Sequence, residues 1–441
     1  MRITMIGAGY VGLVSGTCFA DFGHHVTCID KDAERVAALN RGEIPIFEPG
    51  LADLVEANVR QARLRFTVEA EGLEHAEAVF IAVGTPSRRG DGHADLSFVY
   101  EAVRELAPKL RATTVVVTKS TVPVGTGDEI ERILRDKRPD ADIAVVSNPE
   151  FLREGAAIQD FKHPDRIVIG TNDARARAVL AEVYRPLYLN APPLFHVSRR
   201  TAELIKYASN AFLATKITFI NEIADLCEKV EADVGDVARG MGLDNRIGGK
   251  FLHAGPGFGG SCFPKDTAAL LKTAQDNGVT LRIVEAVAAV NELRKRAMAR
   301  RVLTALDGSL RGRTVAVLGL TFKPNTDDTR ESPAFPLITA LHDLGATVRA
   351  YDPAGMEQAK PHLPTVIYCR NIYDAAEGAD AVVIATEWEQ FRALDLARLK
   401  SLMARPVMVD LRNVYRADEM QRAGFRYVAI GRPTTGSSEL S

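Results

Sequence analysis

The sequence predicts an α/β protein with two doubly wound parallel-sheet domains, joined by a helical central domain that contains one long helix. Short apolar segments alternate with helical patterns in the N-terminal region, and the same alternation restarts after Asp307. Such alternation is typical of parallel sheets covered by helices on both faces. Long segments of helical periodicity separate the two regions. We therefore expect domains over 1–197, 198–308 and 309–430, followed by a flexible tail over 431–441.

The composition is that of an ordinary globular protein. The chain has 441 residues, of which 46% are hydrophobic and 25% charged, and its formal net charge is −2. This length allows two or three domains with sizeable cores. A nearly balanced charge argues against a dedicated nucleic-acid binder or a membrane-surface protein. No apolar run reaches the roughly 20 residues that a membrane helix needs.

Cysteine usage and the start of the chain bear on the compartment. A strand pattern begins at once after Met1, which leaves no room for a signal peptide. The cysteines are odd in number, scattered and without the spacing of metal ligands. We therefore expect reduced thiols, no bound metal and a cytoplasmic location. These cysteines are Cys18, Cys28, Cys227, Cys262 and Cys369.

The first strand leads into a glycine-rich turn, Gly7-Ala-Gly-Tyr-Val-Gly12. After this turn come a helical pattern over 13–22 and a second strand that ends at Asp30. In this setting glycines permit a tight turn and the close approach of a pyrophosphate to the helix N-terminus, while the acid accepts from a ribose hydroxyl. The pattern predicts a Rossmann-like domain that binds a dinucleotide; the alternative is a plain turn in another doubly wound protein. Asp30 favours NAD over NADP because a carboxylate repels a 2′-phosphate, although the basic Lys31 and Arg35 lie close by.

Further strands of this domain end in polar residues. Thr85 and Thr121 each follow an apolar strand, and parallel sheets bind ligands at the carboxyl ends of their strands. Simple turn chemistry is the alternative for both threonines. After the next strand, Glu150 and Glu154 stand four residues apart and would share one face if this segment were helical. One of them is then a candidate base, and two solvated acids are the ordinary alternative.

The middle of the chain predicts two long helices, over about 201–230 and 281–306, from apolar residues at helical spacing. Lys206 and Asn210 lie four residues apart on the first helix and would point to the same side. They form either part of a site or a polar stripe on a connecting helix. The basic run Arg294-Lys-Arg296 on the second helix predicts a solvated face.

Between these helices stands Gly255-Pro-Gly-Phe-Gly-Gly-Ser-Cys-Phe-Pro-Lys-Asp266. The glycines allow close approach to a ligand, and the thiol of Cys262 is followed by the ammonium of Lys265 and a carboxylate. A nearby lysine favours the nucleophilic thiolate. The alternative is a glycine-rich turn with Cys262 as a small buried apolar residue.

The C-terminal region repeats the order of the first sheet. Strand patterns over 313–319, 346–352, 379–386 and 407–411 echo those of the N-terminal domain. The turn after the first of them, Gly319-Leu-Thr-Phe-Lys-Pro324, lacks the three-glycine pattern and carries a lysine instead. We therefore expect this copy to bind a different anionic ligand, with Lys323 and the strand-end Arg412 placed to meet phosphate. Arg330 supplies a further basic residue before a helix.

Together these features resemble the UDP-glucose/GDP-mannose dehydrogenase family. The likeness covers residues 1 to 420, and the series of motifs in the same order is highly specific. The motifs are the glycine turn 7–12, Ser120-Thr-Val-Pro-Val-Gly125, Asn148-Pro-Glu-Phe-Leu-Arg-Glu154, Lys206 with Asn210, the glycine loop 257–266, and Phe322-Lys-Pro-Asn-Thr-Asp-Asp-Thr-Arg-Glu331. None of the catalytic positions departs from the family pattern.

The resemblance implies the oxidation of C6 of a nucleotide sugar, with UDP-glucose expected, from alcohol to acid by two NAD⁺ in succession. Cys262 would add to the aldehyde to form a thiohemiacetal, and the second hydride transfer would leave a thioester for water to hydrolyse. Lys206 and Asn210 would stabilise the oxyanions at C6.

Three further side chains would handle protons in such a reaction. Asp266 would help to activate the hydrolytic water, and Glu150 and Thr121 would support proton transfer through bound water. The division of roles among Asp266, Glu150 and Lys206 stays open.

The resemblance also implies binding residues and a partner. The first domain would bind NAD, with contacts from Gly7, Gly9, Tyr10, Val11, Gly12, Asp30, Arg35, Thr85, Thr121 and Glu154 of that domain and from Lys265 and Arg330 beyond it. The sugar nucleotide would contact Glu150, Phe151, Leu152, Glu154, Lys206, Asn210, Arg246, Phe251, Leu252, Gly259, Cys262, Phe322, Lys323 and Arg412. A homodimer through the central helix is expected, with Arg246 reaching across the interface, and neither nucleic acid nor membrane is an expected partner.

Three alternatives differ in substrate or activity. A β-hydroxyacid or 6-phosphogluconate type of dehydrogenase needs neither Cys262 nor a second sheet. A member of the same family acting on GDP-mannose or a UDP-N-acetylhexosamine would keep the chemistry and differ in pocket shape, for which residues 251–253 are the place to look. A regulator without activity would be expected to have lost the thiol, the lysine or the acid, and all three are present.

Overall fold

The structure is a computed structural model that describes residues 1–70, 72–88, 92–190 and 192–432. The chain divides into two compact units. The first comprises Met1–Ser209 and Ala268–Val279, and the second comprises Asn210–Thr267 and the chain from Thr280 onward. The expected tail lies, from residue 433, outside the described residues. Gly431, the first residue of the expected tail, is buried and donates its N–H to Glu228 Oε1 at 2.7 Å.

The first unit contains a sheet of eight strands within the described ranges. Apart from one antiparallel pair, the neighbouring strands run parallel, as predicted. The strands are β1 (Arg2–Ile6), β2 (His25–Ile29), β3 (Leu64–Thr67), β4 (Ala78–Ile81), β5 (Val115–Thr118), β6 (Ala144–Ser147), β7 (Ile167–Gly170) and β8 (Leu194–Val197). Their order is β3-β2-β1-β4-β5-β6-β7-β8. The antiparallel pair is β6 with β7, so β7 and β8 extend the sheet beyond the strands that the sequence predicted.

Helices cover this sheet on both faces. They are α1 (Tyr10–Asp21), α2 (Ala33–Asn40), α3 (Leu51–Arg60), α4 (Ser97–Leu106), α5 (Thr126–Lys137), α6 (Ala157–Lys162) and α7 (Ala174–Tyr184). Because side chains alternate along a strand, Met5 and Phe80 belong to one apolar cluster, while Val79 and Ile81 belong to another. Burial on both faces explains why these strands are almost continuously apolar.

Four helices follow in the middle of the chain. They are α8 (Arg199–Val230), α9 (Val234–Gly242), α10 (Phe263–Asp276) and α11 (Arg282–Ala305). The two long helices that the sequence predicted are thus confirmed as α8 and α11. Both α8 and α10 contain residues of both units.

The predicted solvated face of α11 is wrong for two of its three residues. Arg294 is 7% exposed and Lys295 only 1%, while Arg296 is exposed as expected. Arg294 pairs with Asp225, far away along the chain. Lys295 pairs with Glu292 of its own helix at 2.7 Å and lies 3.3 Å from the distant Glu331.

The second unit contains a fully parallel sheet of six strands in the part of the chain that the structure describes. The strands are β9 (Thr314–Leu318), β10 (Thr347–Tyr351), β11 (Ile367–Tyr368), β12 (Ala381–Ile384), β13 (Val407–Asp410) and β14 (Arg426–Ala429). Their order, β11-β10-β9-β12-β13-β14, reproduces that of β3-β2-β1-β4-β5-β6. The predicted internal repeat is therefore confirmed.

The helices of the second sheet complete the fold. They are α12 (Ala334–Asp343), α13 (Met356–Ala359), α14 (Ile372–Ala376), α15 (Leu396–Leu402) and α16 (Ala417–Arg422). Val315 and Val317 face one apolar cluster, and Ala316 and Leu318 face another, so this sheet is also buried on both sides. Among the described helices, none combines the length and the apolar character needed to cross a membrane.

Candidate active site

The glycine turn between β1 and α1 has a distinct requirement at each glycine. Gly7 has φ +99°, and a Cβ there would lie 2.7 Å from the carbonyl oxygen of Ala82. A Cβ at Gly12 would lie 1.9 Å from the carbonyl oxygen of Gly7, so α1 begins too close to the turn for any side chain. Gly9 has no atom within 4 Å of the Cβ position. The turn is therefore closed at Gly7 and Gly12 and open at Gly9, as a pyrophosphate beside a helix N-terminus requires.

Asp30 follows β2 and is held against this turn. Its Oδ2 accepts from the N–H of Ala8 at 2.7 Å and from Arg35 Nη1 at 3.1 Å, and its Oδ1 accepts from the N–H of Asp32 at 3.0 Å. The residue is 8% exposed. The predicted ribose acceptor and Arg35 thus form one ion pair at the end of β2, which fits the binding of a dinucleotide.

A buried glutamate that the sequence did not single out connects the glycine turn to the loop after β6. Glu48 is 8% exposed and accepts a short hydrogen bond from the hydroxyl of Tyr10. It also accepts from the N–H groups of Gly155 and Ala157 at 2.7 and 2.8 Å. Burial and the bond to Glu48 raise the pKa of Tyr10, so this hydroxyl stays protonated and donates. The signal that would have found Glu48 is an acid inside an otherwise apolar segment, Ile44-Pro-Ile-Phe-Glu48.

Thr85 and Thr121, the two threonines predicted at strand ends, are hydrogen-bonded to each other. Thr85 Oγ1 donates to the carbonyl oxygen of Thr121 at 2.9 Å. Thr85 is 9% exposed. The neighbouring Ser120 donates from Oγ to the carbonyl oxygen of Val83 at 2.7 Å. These bonds bring the ends of β4 and β5 together at the carboxyl edge of the sheet.

Glu150 and Lys206 form a buried ion pair in the first unit. Lys206 Nζ lies 3.0 Å from Glu150 Oε1, and the side chains are 5% and 7% exposed. The Phe151 ring lies near two cations, with the Arg166 guanidinium 3.6 Å and Lys206 Nζ 5.3 Å from its centroid. Two groups of opposite charge, shielded from water, are suited to exchanging a proton with a bound alcohol.

The segment that carries Glu150 and Glu154 is not helical. Gly155 has φ +77°, and the N–H of Leu152 donates to Glu150 Oε2 at 2.5 Å. The condition under which the two acids would share a helix face is therefore not met. A proline at 149 and a left-handed glycine at 155 explain the irregular backbone.

Lys119, directly after β5, is a second buried cation that the sequence analysis missed. It is 4% exposed, and its Nζ donates to Asn148 Oδ1 at 3.1 Å and to the Tyr184 hydroxyl at 3.0 Å. Burial lowers the pKa of Lys119 to about 8. The charge of Glu150 acts in the opposite direction, and that of Lys206 adds to the lowering.

In the second unit Cys262 immediately precedes α10, where a helix N-terminus stabilises negative charge. Its Sγ lies 3.6 Å from Ser261 Oγ. Asp266, one turn into the helix, is 1% exposed. It accepts from Asn210 Nδ2 at 2.6 Å and from Lys265 Nζ at 2.7 Å. The structure therefore groups a thiol, an amide and a paired carboxylate at one helix end.

The glycines before Cys262 contact the loop after β9. A Cβ at Gly259 would lie 2.2 Å from the carbonyl oxygen of Glu331, and one at Gly260 would lie 2.8 Å from the Phe322 ring. The N–H of Gly260 donates to the carbonyl oxygen of Arg330 at 2.9 Å. Residues predicted for the thiol chemistry and for nucleotide binding are thus packed together in the second unit.

Arg412, after β13, is the other predicted phosphate ligand. Its Nε donates to the carbonyl oxygen of Ala385 at 2.8 Å and its Nη2 to that of Phe322 at 3.2 Å. It also pairs with Glu387 at 3.1 Å. Lys323 Nζ lies 5.4 Å from the centroid of the Phe322 ring. Lys323 and Arg412, the two cations of the predicted UDP site, therefore lie on different loops that the bond from Arg412 to Phe322 joins.

The remaining predicted residues differ in their surroundings, and Phe251 packs its ring near that of Phe263, with centroids 6.1 Å apart. The side chain of Arg246 is 88% exposed and pairs with Asp244. Leu252 is 3% exposed and belongs to the apolar core, which leaves only its backbone for a ligand. Phe251 has φ +65°, and the Arg330 side chain pairs with Asp328 at 2.7 Å.

Comparison with protein families matches three consecutive domains. Residues 1–188 match the NAD binding domain of the UDP-glucose/GDP-mannose dehydrogenase family, 200–293 its central domain and 316–417 its UDP binding domain. The chain is 66% identical over 436 residues to UDP-glucose 6-dehydrogenase of Rhizobium meliloti, covering 98% of this chain and 100% of the relative. It is 47% identical over 452 residues to UDP-glucose 6-dehydrogenase of Pseudomonas aeruginosa, with both chains fully covered.

Solved structures agree with this assignment. A UDP-glucose dehydrogenase of Pyrobaculum islandicum superposes with a TM-score of 0.89 at 40% identity, covering 98% of each chain. A UDP-D-ManNAc dehydrogenase of Pyrococcus horikoshii superposes with a TM-score of 0.86 at 27% identity, covering 98% of this chain and 99% of that one. The chain belongs to the UDP-glucose/GDP-mannose dehydrogenase family, whose members are NAD-dependent dehydrogenases of nucleotide sugars.

Proposed function

We propose that this protein oxidises C6 of UDP-glucose to the carboxylate of UDP-glucuronate, with two NAD⁺ and one water consumed. Identity of 66% over almost the whole chain to a UDP-glucose 6-dehydrogenase is the observation that carries the choice of substrate. The thiol at the start of α10 supports a reaction of two successive oxidations. Bound NAD⁺ accepts the hydride in each of them.

Cys262 has the central role in this proposal. The first oxidation converts the C6 alcohol to an aldehyde, which has no suitable hydride to give until a nucleophile adds to it. The Cys262 thiolate adds to the carbonyl carbon and forms a thiohemiacetal, so that the intermediate stays attached. Loss of the second hydride leaves a thioester. Water then attacks the thioester carbonyl, and the Cys262 thiolate leaves as the carboxylate forms.

The polar residues around the reaction take the remaining roles. Lys206 and Asn210 stabilise the oxyanions that develop at C6. Asp266 helps to activate the hydrolytic water, and its existing bond to Asn210 at 2.6 Å supports a shared role for the two. Glu150 and Thr121 support proton transfer through water, and the Glu150–Lys206 pair at 3.0 Å supplies both an acceptor and a donor.

The two glycine turns divide the binding roles. We assign NAD to the open turn at Gly9 and to Asp30, within a domain over 1–197, and the sugar nucleotide to the domain over 309–430. The family match of residues 316–417 to a UDP binding domain supports this division. Phosphate is assigned to Lys323 and Arg412, and the other contacts are those expected from the sequence.

A homodimer through α8 is part of the proposal. One side of this helix leaves large apolar side chains exposed, which single globular chains usually avoid. They are Leu204, Phe212, Phe219, Leu226 and Val230, with Phe212 65% exposed. We assign Arg246, with its exposed guanidinium, to a contact across that interface. Sedimentation analysis of wild-type protein and Phe212→Asp tests the dimer, and a monomeric wild type would refute it.

The decisive measurement is the number of NADH formed per nucleotide sugar consumed, with UDP-glucose, GDP-mannose and UDP-N-acetylhexosamines as substrates. Two NADH per UDP-glucose, with little from the others, is the expected result. Two NADH from another sugar would keep the chemistry and change the substrate. One NADH per sugar would refute the attached intermediate, and none from any sugar would refute the enzyme.

Variants at the thiol test the covalent step separately. Cys262→Ala is expected to abolish acid formation while the dissociation constants of UDP-glucose and NAD⁺ stay within about twofold. Cys369→Ala, which removes a free thiol in the apolar core of the second sheet, is the matched control and should retain turnover. Full turnover by Cys262→Ala would exclude the thioester route.

A further inference from the structure

One face of α11 holds the glycine loop that leads to Cys262. Asn291, Arg294 and Lys295 lie three and four residues apart, so they share this face of the helix. They are 2%, 7% and 1% exposed. Polar side chains are seldom buried to this degree without a specific partner, and here each has one in or beside the loop.

Asn291 binds the loop at two adjoining backbone groups. Its Oδ1 accepts from the N–H of Phe258 at 2.8 Å, and its Nδ2 donates to the carbonyl oxygen of Phe258 at 3.0 Å. The amide thus pairs with one residue much as a neighbouring strand would. Gly257 has φ +119°, and a Cβ there would lie 2.9 Å from Asn291 Oδ1. The close approach of Asn291 therefore requires glycine at this position.

Arg294 binds the start of the same loop, and Lys295 binds Glu292 of its own helix and Glu331 beside the loop. Arg294 Nε donates to the carbonyl oxygen of Gly255 at 2.8 Å. Lys295 Nζ lies 3.3 Å from Glu331, the residue whose carbonyl oxygen Gly259 approaches. Glu331 has φ +52°, a backbone state that is unfavourable for a side chain of this kind and persists only when its surroundings hold it.

The anchoring reaches the thiol through two aromatic rings. The Phe258 ring packs edge-on against that of Phe263, with centroids 6.0 Å apart. Phe263 is the first residue of α10 and follows Cys262 directly. The Phe258 ring belongs to an apolar cluster with Ala214 and Val287, against which Phe263 also packs. A shift of the Phe258 backbone would therefore move the start of α10 and the sulfur with it.

We propose that Asn291 is a positioning residue that sets the Cys262 sulfur for attack on the C6 aldehyde. This inference rests on the proposed function for its effect on turnover. Positioning of a nucleophile matters because errors of about 1 Å cost up to about a hundredfold in rate. The fixed amide pair with Phe258 limits the movement of the loop in both directions along its hydrogen bonds.

The test compares Asn291→Asp and Asn291→Ala with the wild type. Asn291→Asp keeps the shape and the acceptor for the N–H of Phe258, but it loses the donor and places an oxygen against the carbonyl oxygen. Asn277→Ala is the matched control, since Asn277 is exposed and its side chain bonds only within its own helix end. The measurements are kcat, both KM values, NADH per UDP-glucose, UDP affinity by calorimetry, and the rate at which iodoacetamide alkylates Cys262, read by peptide mass spectrometry.

We expect kcat to fall about tenfold or more in both Asn291 variants, with each KM within about twofold. NADH per UDP-glucose should fall below two, because the aldehyde escapes. The alkylation rate of Cys262 should change more than about threefold, while UDP affinity stays normal and shows that the variants are folded. Wild-type kcat in both variants, or a rise in the KM values without a fall in kcat, would overturn the proposal.

Alkylation separates this inference from the proposed function. If the wild type forms no NADH from any sugar, the proposed function fails, and a changed alkylation rate would still establish that Asn291 positions the thiol. An unchanged alkylation rate in variants that bind UDP normally would overturn the positioning role whatever the substrate is.

Discussion

The two sheets of this protein share a strand order. They differ in the side chains that occupy the space at the carboxyl ends of their first two strands. Gly7 after β1 and Gly319 after β9 both have φ +99°. Gly7 lies against Ala82, the first residue after β4, and Gly319 lies against Thr386, the second residue after β12. An aspartate, Asp30 or Asp352, follows the second strand of each sheet. The two copies differ two positions after this glycine, where the first sheet has Gly9 and the second has Thr321. Gly9 faces open space, and Thr321 is fully buried.

In the second sheet, hydrogen bonds from the protein's own groups occupy both carboxylate oxygens of the aspartate. Asp352 is 0% exposed and accepts from six donors: the N–H groups of Leu320, Thr321, Ala354 and Gly355, the hydroxyl of Thr321 and the indole of Trp388. Asp30 accepts two backbone N–H groups and one guanidinium. The same backbone thus leaves a nucleotide position open in one unit and closes it with side chains in the other.

The corresponding fifth strands, β5 and β13, end beside buried ionisable residues of opposite kind. Lys119 directly follows β5, and Asp410 is the last residue of β13. Burial lowers the pKa of Lys119 to about 8, and burial raises the pKa of Asp410 despite its hydrogen bonds to Tyr415 and Tyr427. By register Asp410 corresponds to Thr118, one residue before Lys119, so the shared topology determines neither the exact position nor the sign of the buried charge.

Replacing Asp30 or Asp352 with asparagine should give the largest difference between the two copies in the free energy of unfolding. Asp352→Asn is expected to lower the free energy of unfolding by about 3 kcal/mol, because an amide cannot accept from six buried donors. Asp30→Asn should cost less than about 1 kcal/mol and weaken NAD⁺ instead. Denaturant titration and NAD⁺ binding measure the two effects. Equal losses of stability would contradict the comparison.

Gly9→Thr introduces into the first turn the residue that the second copy has there. The backbone tolerates threonine, since Gly9 has φ −74°, but the side chain would occupy the space assigned to pyrophosphate. We expect KM for NAD⁺ to rise about a hundredfold, with UDP affinity unchanged. Gly240→Thr, at an exposed position that also has open space around its Cβ, is the control. Normal NAD⁺ binding by Gly9→Thr would show that this turn is not the cofactor site.

Lys119→Met tests the buried cation through pH. The folded protein loses the Lys119 proton near pH 8, whereas the unfolded chain keeps it until near its ordinary pKa of about 10.4. The unfolded state therefore binds more protons in this window, and the stability of the wild type relative to Lys119→Met should rise with pH, by about 2 kcal/mol between pH 8 and pH 10. Denaturant titrations at the two pH values measure it. A constant difference would show that Lys119 titrates normally.

For Asp410, an acid, the contribution to stability should change with pH in the direction opposite to that of Lys119. Because the pKa of Asp410 is raised, the folded state binds more protons than the unfolded chain above the ordinary pKa of an aspartate, about 3.9. The contribution of Asp410 to stability should therefore fall as pH rises from that value through its folded pKa. Comparison with Asp410→Asn over pH 4 to 7 measures the slope, and a contribution that rises over this range would contradict the assignment.

Trp388→Phe should have the smallest effect. It removes the indole N–H that donates to Asp352 and Thr321 but keeps an aromatic ring, so a loss of about 1 kcal/mol is expected. Trp388 is the single tryptophan of the chain, which makes its emission a probe of the second turn. UDP should change the emission of the wild type and NAD⁺ should not. The reverse result would exchange the two binding roles.

Much of the fold and part of the site were predictable from local patterns. The strand repeats, the two long helices, the glycine turn with Asp30, and the thiol ahead of a helix all follow from residue spacing. The predictions failed where partners lie far apart along the chain. Arg294 and Lys295 appeared solvated because Gly255 and Glu331, which their side chains contact, are distant in sequence. Glu48 and Lys119 belong to none of the motifs recognised in the sequence, although the apolar segment around Glu48 offered a signal.

The sequence by itself determined which residues can form each element and which chemistry they offer, because periodicity and glycine or proline positions act over a few residues. Only the tertiary structure decided how the second turn is closed, since Thr321 is held there by hydrogen bonds to Asp352 and Trp388. It also decided that a buried helix face holds the loop before Cys262. Burial and hydrogen bonding between distant segments exist only after the chain has folded, and they set the environment in which each charge and thiol acts.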